Sequence, residues 1–295
     1  MGPGATGVLI LGCGFLGQVL AQRLTFKGIP VIGTARGEPQ LGIIRTRGAQ
    51  PLPFTGELAA LDKLTLKIDR VVMSIPPEAG LDEALAQRVA AWGVAPGKTL
   101  YVSSTSVYGD RGGADTDEAT PVNPQTPKAE KRVEAERIWQ KVGASVIRPA
   151  GIYGPGRSLM HRIAAGKYRQ VGDGQAIVNR IHVSDLAALC EKSLGAPQGT
   201  WLGADLAPTP HAEVIGWLCE AFGLPAPPVM PLAEARIRMD RETLSMFSQS
   251  KRLRPEATLT ALGVKLRFPS YREGFKDVWT RDKAQLEAMM AGGSA

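Results

Sequence analysis

The feature of the sequence that most constrains its fold is an apolar segment that runs directly into a glycine-rich turn. Gly7 to Leu11 is apolar, Gly12 to Gly17 reads Gly-Cys-Gly-Phe-Leu-Gly, and a helical pattern continues from Phe15 to Lys27. This order of strand, G-x-G-x-x-G turn and helix is the context in which the motif binds a dinucleotide. The sequence therefore predicts a parallel α/β sheet that begins here.

Each glycine of the turn has its own physical role. Gly12 permits the tight turn, Gly14 lets a diphosphate approach the backbone, and Gly17 allows the helix to pack closely on the strand. The backbone N–H groups around Phe15 and Leu16, at the helix N-terminus, can bind phosphate oxygens. The alternative is a turn that merely packs a helix on a sheet. The position between strand and helix favours dinucleotide binding.

Apolar runs alternate with amphipathic stretches along the N-terminal part of the chain, as in a sheet built from strand and helix units. The predicted strands are Gly7–Leu11, Pro30–Thr34, Ala49–Leu52, Arg70–Ile75, Lys98–Ser103, Ala144–Arg148 and Thr200–Leu202. The predicted helices are Phe15–Lys27, Glu57–Lys67, Leu81–Trp92, Pro127–Val142 and Val183–Leu194. We expect an α/β fold, a Rossmann doubly wound parallel sheet with a small C-terminal substrate lobe.

Length and proline content indicate two unequal lobes. The chain has 295 residues, and domains usually have about 100–200 residues. Four prolines within Leu224–Pro231 mark a rigid linker or lobe boundary. We expect an NAD(P)-binding Rossmann domain over residues 5–205, with lobe insertions after about residue 155, and a smaller substrate-binding lobe over residues 206–291. The short tail that follows looks disordered.

Composition excludes several classes of protein. With 44% apolar and 21% charged residues the chain is globular rather than disordered or fibrous. Cys13, Cys190 and Cys219 form no CxxC pair, which argues against disulfides or structural zinc and favours a reducing cytoplasm. Residues 1–22 are uncharged, yet they contain six glycines and lack a basic leader. We therefore expect no membrane segment.

The net charge of +7 comes from 35 basic and 28 acidic side chains spread along the whole chain. No basic and aromatic interleaving indicates nucleic-acid binding, so a phosphate-bearing small molecule is the expected partner. His161, His182 and His211 lack metal-ligand spacing, and we expect no metal site.

The end of the second strand bears on cofactor choice. An NAD site usually carries an acidic residue there for the ribose 2′-hydroxyl, whereas this chain has Arg36 soon after Thr34. An arginine can pair with a 2′-phosphate, which favours NADP while leaving NAD possible. We expect Glu38 to face solvent. Ser74, Ile75 and Pro76 end the fourth strand and are further candidates for cofactor contact.

Three further segments carry a resemblance to a known family. They are Ser103–Gly109 (S-S-T-S-V-Y-G), Arg148–Arg157 (R-P-A-G-I-Y-G-P-G-R) and Asn179–Leu186 (N-R-I-H-V-S-D-L). With the glycine turn, they make the chain similar to the extended short-chain dehydrogenase/reductases, which include nucleotide-sugar epimerases and dehydratases. Ser250–Leu253 and Phe268–Gly274 are similar to an atypical subgroup of NAD(P)-dependent epimerases with no settled substrate.

The resemblance implies hydride chemistry in a cleft between the lobes, and the family often forms dimers. It also implies that Pro149 flanks the nicotinamide and that Arg157 and Arg180 reach the substrate. Two arginines at one cleft would suit an anionic or phosphorylated substrate. A surface role is the alternative for each arginine.

The family's acid/base pair is absent from this sequence. Members use a tyrosine followed four residues later by a lysine, and typically read Thr-Pro-Tyr at the start of the helix. Here Thr126 and Pro127 lead to Lys128, with Arg132 four residues later. No Y-x-x-x-K occurs anywhere in the chain.

Several residues are candidates for the missing role. Arg132 could bind the nicotinamide ribose, although it cannot release a proton. Lys128 could supply a proton if its ammonium were buried beside positive charge, and an exposed helix-start lysine is the alternative. Ser104 and Thr105 match the family's substrate-orienting hydroxyl, or else cap the strand end. Tyr108 is either a packing residue or a displaced acid.

The sequence thus predicts an NADP-dependent oxidoreductase or epimerase/dehydratase-like enzyme acting by hydride transfer. Its substrate would be small and polar, with sugar-derived and anionic molecules as options. The alternative is an NADP(H)-binding sensor or regulatory protein that has lost catalysis, because the tyrosine is missing.

Overall fold

In the computed structural model, which describes residues 6–292, a seven-stranded parallel sheet forms the centre of the protein. The strands of the described residues are β1 (Thr6–Leu11), β2 (Val31–Ala35), β3 (Gln50–Pro53), β4 (Lys67–Met73), β5 (Thr99–Val102), β6 (Asp115–Thr116), β7 (Ser145–Pro149), β8 (Gly151–Tyr153), β9 (Gln170–Val171), β10 (Ile177–Val178), β11 (Arg180–His182), β12 (Thr200–Gly203), β13 (Thr209–Pro210), β14 (Val229–Met230) and β15 (Arg252–Leu253). The sheet order is β12-β7-β5-β4-β1-β2-β3. All seven predicted strands are present and form this sheet, which confirms the Rossmann prediction.

Helices connect the strands. They are α1 (Phe15–Thr25), α2 (Glu38–Thr46), α3 (Leu81–Ala91), α4 (Pro127–Lys141), α5 (Leu159–Ala164), α6 (Val183–Ser193), α7 (His211–Phe222), α8 (Leu232–Arg238), α9 (Arg241–Ser248), α10 (Glu256–Leu262) and α11 (Tyr271–Gly292), with 3-10 helices at Leu58–Lys63 and Thr105–Tyr108. Within residues 6–292, no helix has the length and hydropathy needed to cross a bilayer.

One helix was not predicted and one local prediction was wrong. Helix α2 has Pro39 in its first turn, where a proline is well tolerated. The helix predicted over Glu57–Lys67 is only a 3-10 turn at Leu58–Lys63, because β4 already begins at Lys67. A connection this short suits the tighter helix.

Apolar side chains cover both faces of the sheet. On one face, Val8 and Ile10 of β1 pack in a cluster with residues of α1, α2 and α6. On the other face, Leu9 and Leu11 pack with residues of α3 and α4. β1 pairs in parallel with both β2 and β4, so the order in which the chain adds strands to the sheet reverses at β1. Ligands of such sheets bind beside this switch point.

A second core lies in the C-terminal half. Tyr153, Met160 and Tyr168 join side chains from α7 and α11 in one apolar cluster. The chain then returns to the sheet: β15 pairs with β6, and Leu262 and Leu266 enter the core beside α1 and α6. Residues on both sides of position 205 therefore contribute to each of the two cores.

Candidate functional site

A cleft of about 580 Å³ opens at the carboxyl ends of β1, β2 and β4. Its lining is Gly12, Cys13, Gly14, Thr34, Ala35, Arg36, Gly37, Gln40, Phe54, Thr55, Gly56, Ser74, Ile75, Pro76, Pro77, Glu78 and Leu81. Seven residues predicted for the cofactor are thus brought together, namely Gly12, Gly14, Thr34, Arg36, Ser74, Ile75 and Pro76. Open sheets of this topology bind their ligands at this edge.

The three glycines of the turn differ in what surrounds them. Gly12 has a φ of +82°, and a Cβ there would lie 2.8 Å from the backbone nitrogen of Ile75. A Cβ on Gly17 would lie 3.1 Å from Cγ2 of Ile10, so this glycine lets α1 approach β1. A Cβ on Gly14 would have no neighbour within 4 Å. That open space is what a diphosphate needs to approach the backbone.

The first turn of α1 is suited to bind an anion. Gly14 is the N-cap, no side chain caps the helix, and its first turn has no acidic residue. The N–H groups of Phe15 and Leu16 therefore lack an intrahelical partner at the positive end of the helix dipole. The side chain of Leu16 is buried in the core, so only its backbone is available.

Thr34 holds the glycine turn in place. Its hydroxyl accepts a hydrogen bond from the backbone nitrogen of Gly12 at 2.9 Å, and its carbonyl accepts one from Cys13 at 2.8 Å. Cys13 is buried, and burial raises the pKa of its thiol to about 12. Cys13 is therefore a small packing residue, as the sequence indicated, and not a reactive thiolate.

Arg36 supplies a cation to the part of the cleft that follows β2. Its side chain is exposed and lines the cleft just after β2. Glu38, the nearest acidic residue in sequence, is exposed and forms an ion pair with Arg45 at 2.5 Å. The residues present therefore fit a dinucleotide that carries a 2′-phosphate, because a cation faces the cleft and the carboxylate is held by another arginine.

Sequence reasoning missed part of this cleft. Phe54 and Thr55 follow β3, and Leu81 begins α3. The available signal was positional, because residues that follow a strand of a parallel sheet reach the same edge as the glycine turn. Phe54 is anchored there by a hydrogen bond from its nitrogen to the carbonyl of Ala35 at 3.0 Å.

Ser104 and Thr105 lie where β5 ends, and both are half-buried. The Ser104 hydroxyl accepts a hydrogen bond from the backbone nitrogen of Ser106 at 3.1 Å and caps the 3-10 helix. This is the structural role that was the alternative to substrate binding. The two roles are compatible, because the hydroxyl can still donate its own proton.

Lys128 and Arg132, at the positions where the resemblance implies the family's tyrosine and lysine, face different surroundings. Lys128 is exposed, and its backbone nitrogen donates to Glu242 at 2.8 Å. The burial that would let Lys128 release a proton is therefore absent. Arg132 is half-buried and donates from Nη1 to the carbonyl of Val102, at the end of β5, at 2.9 Å. Arg132 thus keeps a cation beside the strand that leads to Ser104.

Tyr108 belongs to a buried polar network. Its hydroxyl accepts a hydrogen bond from Nη1 of Arg148 at 3.0 Å. Arg148 in turn binds both carboxylate oxygens of Glu136, at 3.0 and 2.7 Å, and the Ser103 hydroxyl donates to the same carboxylate. Tyr108 is 0% exposed. These contacts support the packing interpretation of Tyr108 over that of a displaced acid.

Pro149 ends β7 beside the end of β5. It is buried, and the backbone after it is held on two sides. Ala150 donates to the carbonyl of Gly203 at 2.8 Å, and Gly151 donates to the carbonyl of Asn179 at 3.2 Å. Gly151 is exposed. The segment predicted to flank the nicotinamide is therefore a fixed backbone edge open on one side.

The two arginines predicted for the substrate have different surroundings. Arg157 is exposed, and its guanidinium carbon lies 5.4 Å from the ring centre of Phe15, at the start of α1. Arg180 is only 8% exposed and lies in β11. Only Arg157 is therefore open to solvent, on the glycine-turn side of the protein.

Arg180 lies in a buried cluster with polar atoms that lack partners among residues 6–292. These atoms are Nη1 of Arg180, Oδ2 of Asp205 and the hydroxyl of Tyr153. Burial raises the pKa of Asp205 to about 7 and lowers that of Arg180. The cluster can accept a small polar group, but its geometry assigns none.

The three histidines have structural contacts. His161 Nδ1 lies 2.8 Å from the Ser158 hydroxyl, and His211 Nδ1 lies 3.1 Å from the Tyr168 hydroxyl. Burial lowers the pKa of His182 to about 4 and that of His211 to about 3. In the part of the chain that the structure describes, no three His, Cys, Asp or Glu side chains are grouped as metal ligands.

Known proteins share both sequence and fold with this chain. The sequence profile of the NAD dependent epimerase/dehydratase family matches residues 79–202. A functionally unknown conserved protein from Silicibacter pomeroyi is 33% identical, over 94% of this chain and 98% of its own, with a TM-score of 0.82. No curated protein matches significantly.

Two ligand-bound structures share the fold at lower identity. MoeE5 in complex with UDP-glucose and NAD is 20% identical, over 95% of this chain and 99% of its own, with a TM-score of 0.75. The human epimerase family protein SDR39U1 with NADPH is 20% identical, over 92% and 98% of the two chains, with a TM-score of 0.71. At this identity the likeness concerns the fold alone.

Proposed function

Because the chain belongs to the NAD dependent epimerase/dehydratase family, we propose that it is an NADP-dependent oxidoreductase or epimerase-like enzyme that acts by hydride transfer. Its substrate is a small polar molecule, sugar-derived or anionic. The bound UDP-glucose of MoeE5 and the bound NADPH of the human protein support this class of substrate and cofactor.

One observation carries the proposal: the cleft joins the open backbone at Gly14 to the exposed Arg36, while Glu38 is paired with Arg45. The start of α1 binds the diphosphate, and Arg36 binds the 2′-phosphate. The same cleft would accept NAD, but Arg36 would then lack its anionic partner.

A nicotinamide cofactor supplies reversible hydride exchange at a carbon that bears oxygen. The protein's own residues bind and orient. Pro149 and the edge after it limit where the nicotinamide lies, Arg132 places positive charge beneath the end of β5, and Ser104 or Thr105 donates a hydrogen bond to the substrate oxygen.

Calorimetry with the two reduced cofactors tests this assignment. We expect NADPH to bind more tightly than NADH. Arg36→Ala should weaken NADPH binding about ten- to hundredfold, since a charge-assisted hydrogen bond contributes about 1.5–3 kcal/mol. NADH affinity should be unchanged.

The matched control is Arg238→Ala, which removes an exposed arginine that pairs with Glu234 on α8. It should leave both affinities unchanged. Equal affinity of the wild type for NADPH and NADH would overturn the NADP preference. Absence of binding by either nucleotide would overturn the enzyme assignment as a whole.

A second candidate function is an NADP(H)-dependent sensor without turnover. It is favoured by the absence of Y-x-x-x-K and by the exposure of Lys128. Mixing the protein with NADPH and a panel of aldehydes, ketones and ketoses, and following nicotinamide absorbance, separates the two. Tight NADPH binding with no oxidation across the panel would favour the sensor.

A further inference from the structure

We propose that Lys251 is the residue that exchanges a proton with the substrate oxygen, in place of the absent tyrosine. This inference rests on the proposed function, because it assumes that hydride transfer occurs at the carboxyl ends of β5 and β7. Lys251 lies immediately before β15, far along the chain from the glycine turn and from Ser104. Its place in the fold brings it beside the segments that follow β5 and β7.

The backbone of Lys251 is fixed beside the segment that follows β7. Asn179 donates from its side-chain amide to the carbonyl of Lys251 at 2.8 Å and accepts from the nitrogen of Leu253 at 2.9 Å. The carbonyl of Asn179 accepts from Gly151 at 3.2 Å. One asparagine therefore links Lys251 to the exposed edge that follows Pro149.

The preceding residue is fixed to the segment that follows β5. Ser250 donates its nitrogen to Asp110 at 2.8 Å, and its carbonyl accepts from Arg111 and Gly113, each at 3.0 Å. These residues follow the 3-10 helix that Ser104 caps. Lys251 thus lies between the segments that leave two neighbouring strands, β5 and β7.

The alternation of side chains in this extended segment points Lys251 inward. Lys251 and Leu253 are buried while Arg252 between them is exposed, as expected for residues two apart in a strand. Leu253 packs in a cluster with Val107 and Ala150. The Lys251 side chain therefore projects to the side of the segment that carries the ends of β5 and β7.

The ammonium of Lys251 has no hydrogen-bond or ion-pair partner among residues 6–292, although the residue is only 8% exposed. Its Nζ atom is nevertheless not fully sealed from solvent. Burial lowers the pKa of Lys251 to about 8, against an opposing effect of Asp110. A buried ammonium without a partner is costly, and a polar ligand would supply one.

Charged groups surround Lys251 on each neighbouring element. Asp110 follows the 3-10 helix and favours the ammonium form. The Arg252 guanidinium is bound by the carbonyl of Gly113, and Arg111 is half-buried on the same loop. Arg180, on β11, is buried in its own cluster with Asp205. Asp110 is thus the acidic group that raises the pKa of the amine and opposes the effect of burial.

The proton transfer balances in both directions. In reduction, a substrate carbonyl carbon gains the hydride that NADPH loses on oxidation to NADP, the C=O π electron pair moves to oxygen, and that oxygen takes a proton from Nζ of Lys251. The resulting neutral amine is protonated again by solvent. In oxidation, the neutral amine accepts the hydroxyl proton as the carbon loses hydride. An amine that titrates close to neutral pH can serve both directions.

Competitive acetylation of the full-length protein by acetic anhydride, read by peptide mass spectrometry between about pH 6 and pH 11, tests the proposal without a substrate. Only the neutral amine reacts, so we expect a half-maximal rate for Lys251 near pH 8. An ordinary lysine titrates near pH 10.4. Saturating NADPH should slow acetylation of Lys251 several-fold, because the nicotinamide end of its site adjoins the residue.

Asp110→Asn is the matched variant for this titration. It keeps an acceptor oxygen for Ser250 and removes the negative charge, so the Lys251 midpoint should fall further. A midpoint near 10, no reaction at any pH, or no protection by NADPH when NADPH binds would each overturn the proposal. Failure of NADPH to bind would instead overturn the proposed function, and the midpoint in the free protein would still be measurable.

Two substitutions test the role in turnover on any carbonyl compound that the panel identifies. Lys251→Met keeps the stem, and Lys251→Arg keeps a charge that is not released near neutral pH. Both should lower kcat by about a hundredfold or more, the usual contribution of a positioned acid, with NADPH affinity unchanged. Lys265→Met, at an exposed position, is the control that should leave kcat unchanged. Full activity of Lys251→Arg, or loss of activity in Lys128→Ala alone, would overturn the assignment.

Discussion

The two halves of the candidate site are built in different ways. The cofactor half consists of one contiguous turn, Gly12–Gly17, and a cation at the end of the next strand. The reaction half is assembled from segments around Ser104, Gly151 and Lys251 that are distant in the chain and are joined by hydrogen bonds through Asn179 and Ser250. The first half is defined mainly by the shape of its backbone, and the second by polar side chains that come together only in the folded chain.

This difference explains why the halves tolerate change differently. A backbone site survives substitution of most side chains, provided that its glycines remain. In the buried network around Tyr108, which adjoins the reaction half, the charges are paired, as Arg148 is with Glu136. Loss of one partner leaves a desolvated charge behind.

The largest effect is expected from Glu136→Ala. Removal of this carboxylate leaves the buried Arg148 guanidinium without its bidentate partner, which typically costs about 3–5 kcal/mol in free energy of unfolding. Urea denaturation measures the loss. Glu134→Ala on the same helix, where an exposed pair with Arg137 is 3.4 Å apart, is the control and should cost under about 1 kcal/mol. Equal losses of stability in the two variants would show that the buried Arg148–Glu136 pair contributes no more than the exposed pair.

The second-largest effect is expected on the pH dependence of the free energy of unfolding, and it comes from Asp205. Its pKa is raised to about 7 by burial, whereas an unfolded chain releases this proton near pH 3.9. The folded protein therefore holds a proton that the unfolded chain lacks, and stability falls as the pH rises through this window, by up to about 1.4 kcal/mol per unit.

Denaturation of wild type and Asp205→Asn at about pH 5 and pH 7 measures this term. The variant keeps an acceptor for the nitrogen of Ala207 and should lack the loss at higher pH. His182, with its pKa lowered to about 4, contributes the opposite slope in both proteins, so the difference between them isolates Asp205. Parallel profiles would contradict the assignment.

In the cofactor half, Gly14→Ala should weaken NADPH binding at least about tenfold, or about 1.4 kcal/mol, because its methyl group enters the space that a diphosphate needs. Stability should change by less than about 1 kcal/mol, since no atom lies within 4 Å of the new Cβ and alanine is only a somewhat poorer N-cap than glycine. Calorimetry and thermal unfolding report the two quantities. Gly216→Ala, exposed on α7, should leave binding unchanged. Loss of stability in Gly14→Ala would mean that this glycine is structural.

The smallest effect is expected for Arg157→Ala. Its guanidinium lies over the Phe15 ring, beside the start of α1 where the diphosphate is proposed to bind. Removal of this exposed positive charge costs up to about 1 kcal/mol of attraction for an anion, so NADPH affinity should fall about two- to fivefold, with a weaker dependence on salt. Arg238→Ala serves again as the surface control. Unchanged NADPH affinity with an altered KM for substrate would return Arg157 to the substrate role that the sequence suggested.

The difference between the two halves of the site also explains how much of each could be predicted from the sequence. The sheet and the glycine turn were predictable because their signals are local: apolar runs, glycines at fixed spacing and Arg36 two residues beyond Thr34. Helix α2 was not predicted; its Pro39 lies in the first turn, where a proline is compatible with a helix. The segment Ser250–Leu253 drew attention only as a resemblance, because only the folded chain shows that the ammonium of Lys251 is buried and without a partner.

The return of the chain to the sheet has a consequence for synthesis. Leu262 and Leu266 complete the apolar layer over α1 and α6. They are synthesised after all the core residues of the C-terminal lobe except those of α11. N-terminal domains commonly fold first during translation. Here the part of this layer that Leu262 and Leu266 cover stays exposed to water until the C-terminal lobe has been synthesised, and a chain cut at residue 205 would leave it exposed permanently. Such a fragment should bind chaperones or aggregate rather than serve as an autonomous nucleotide-binding module.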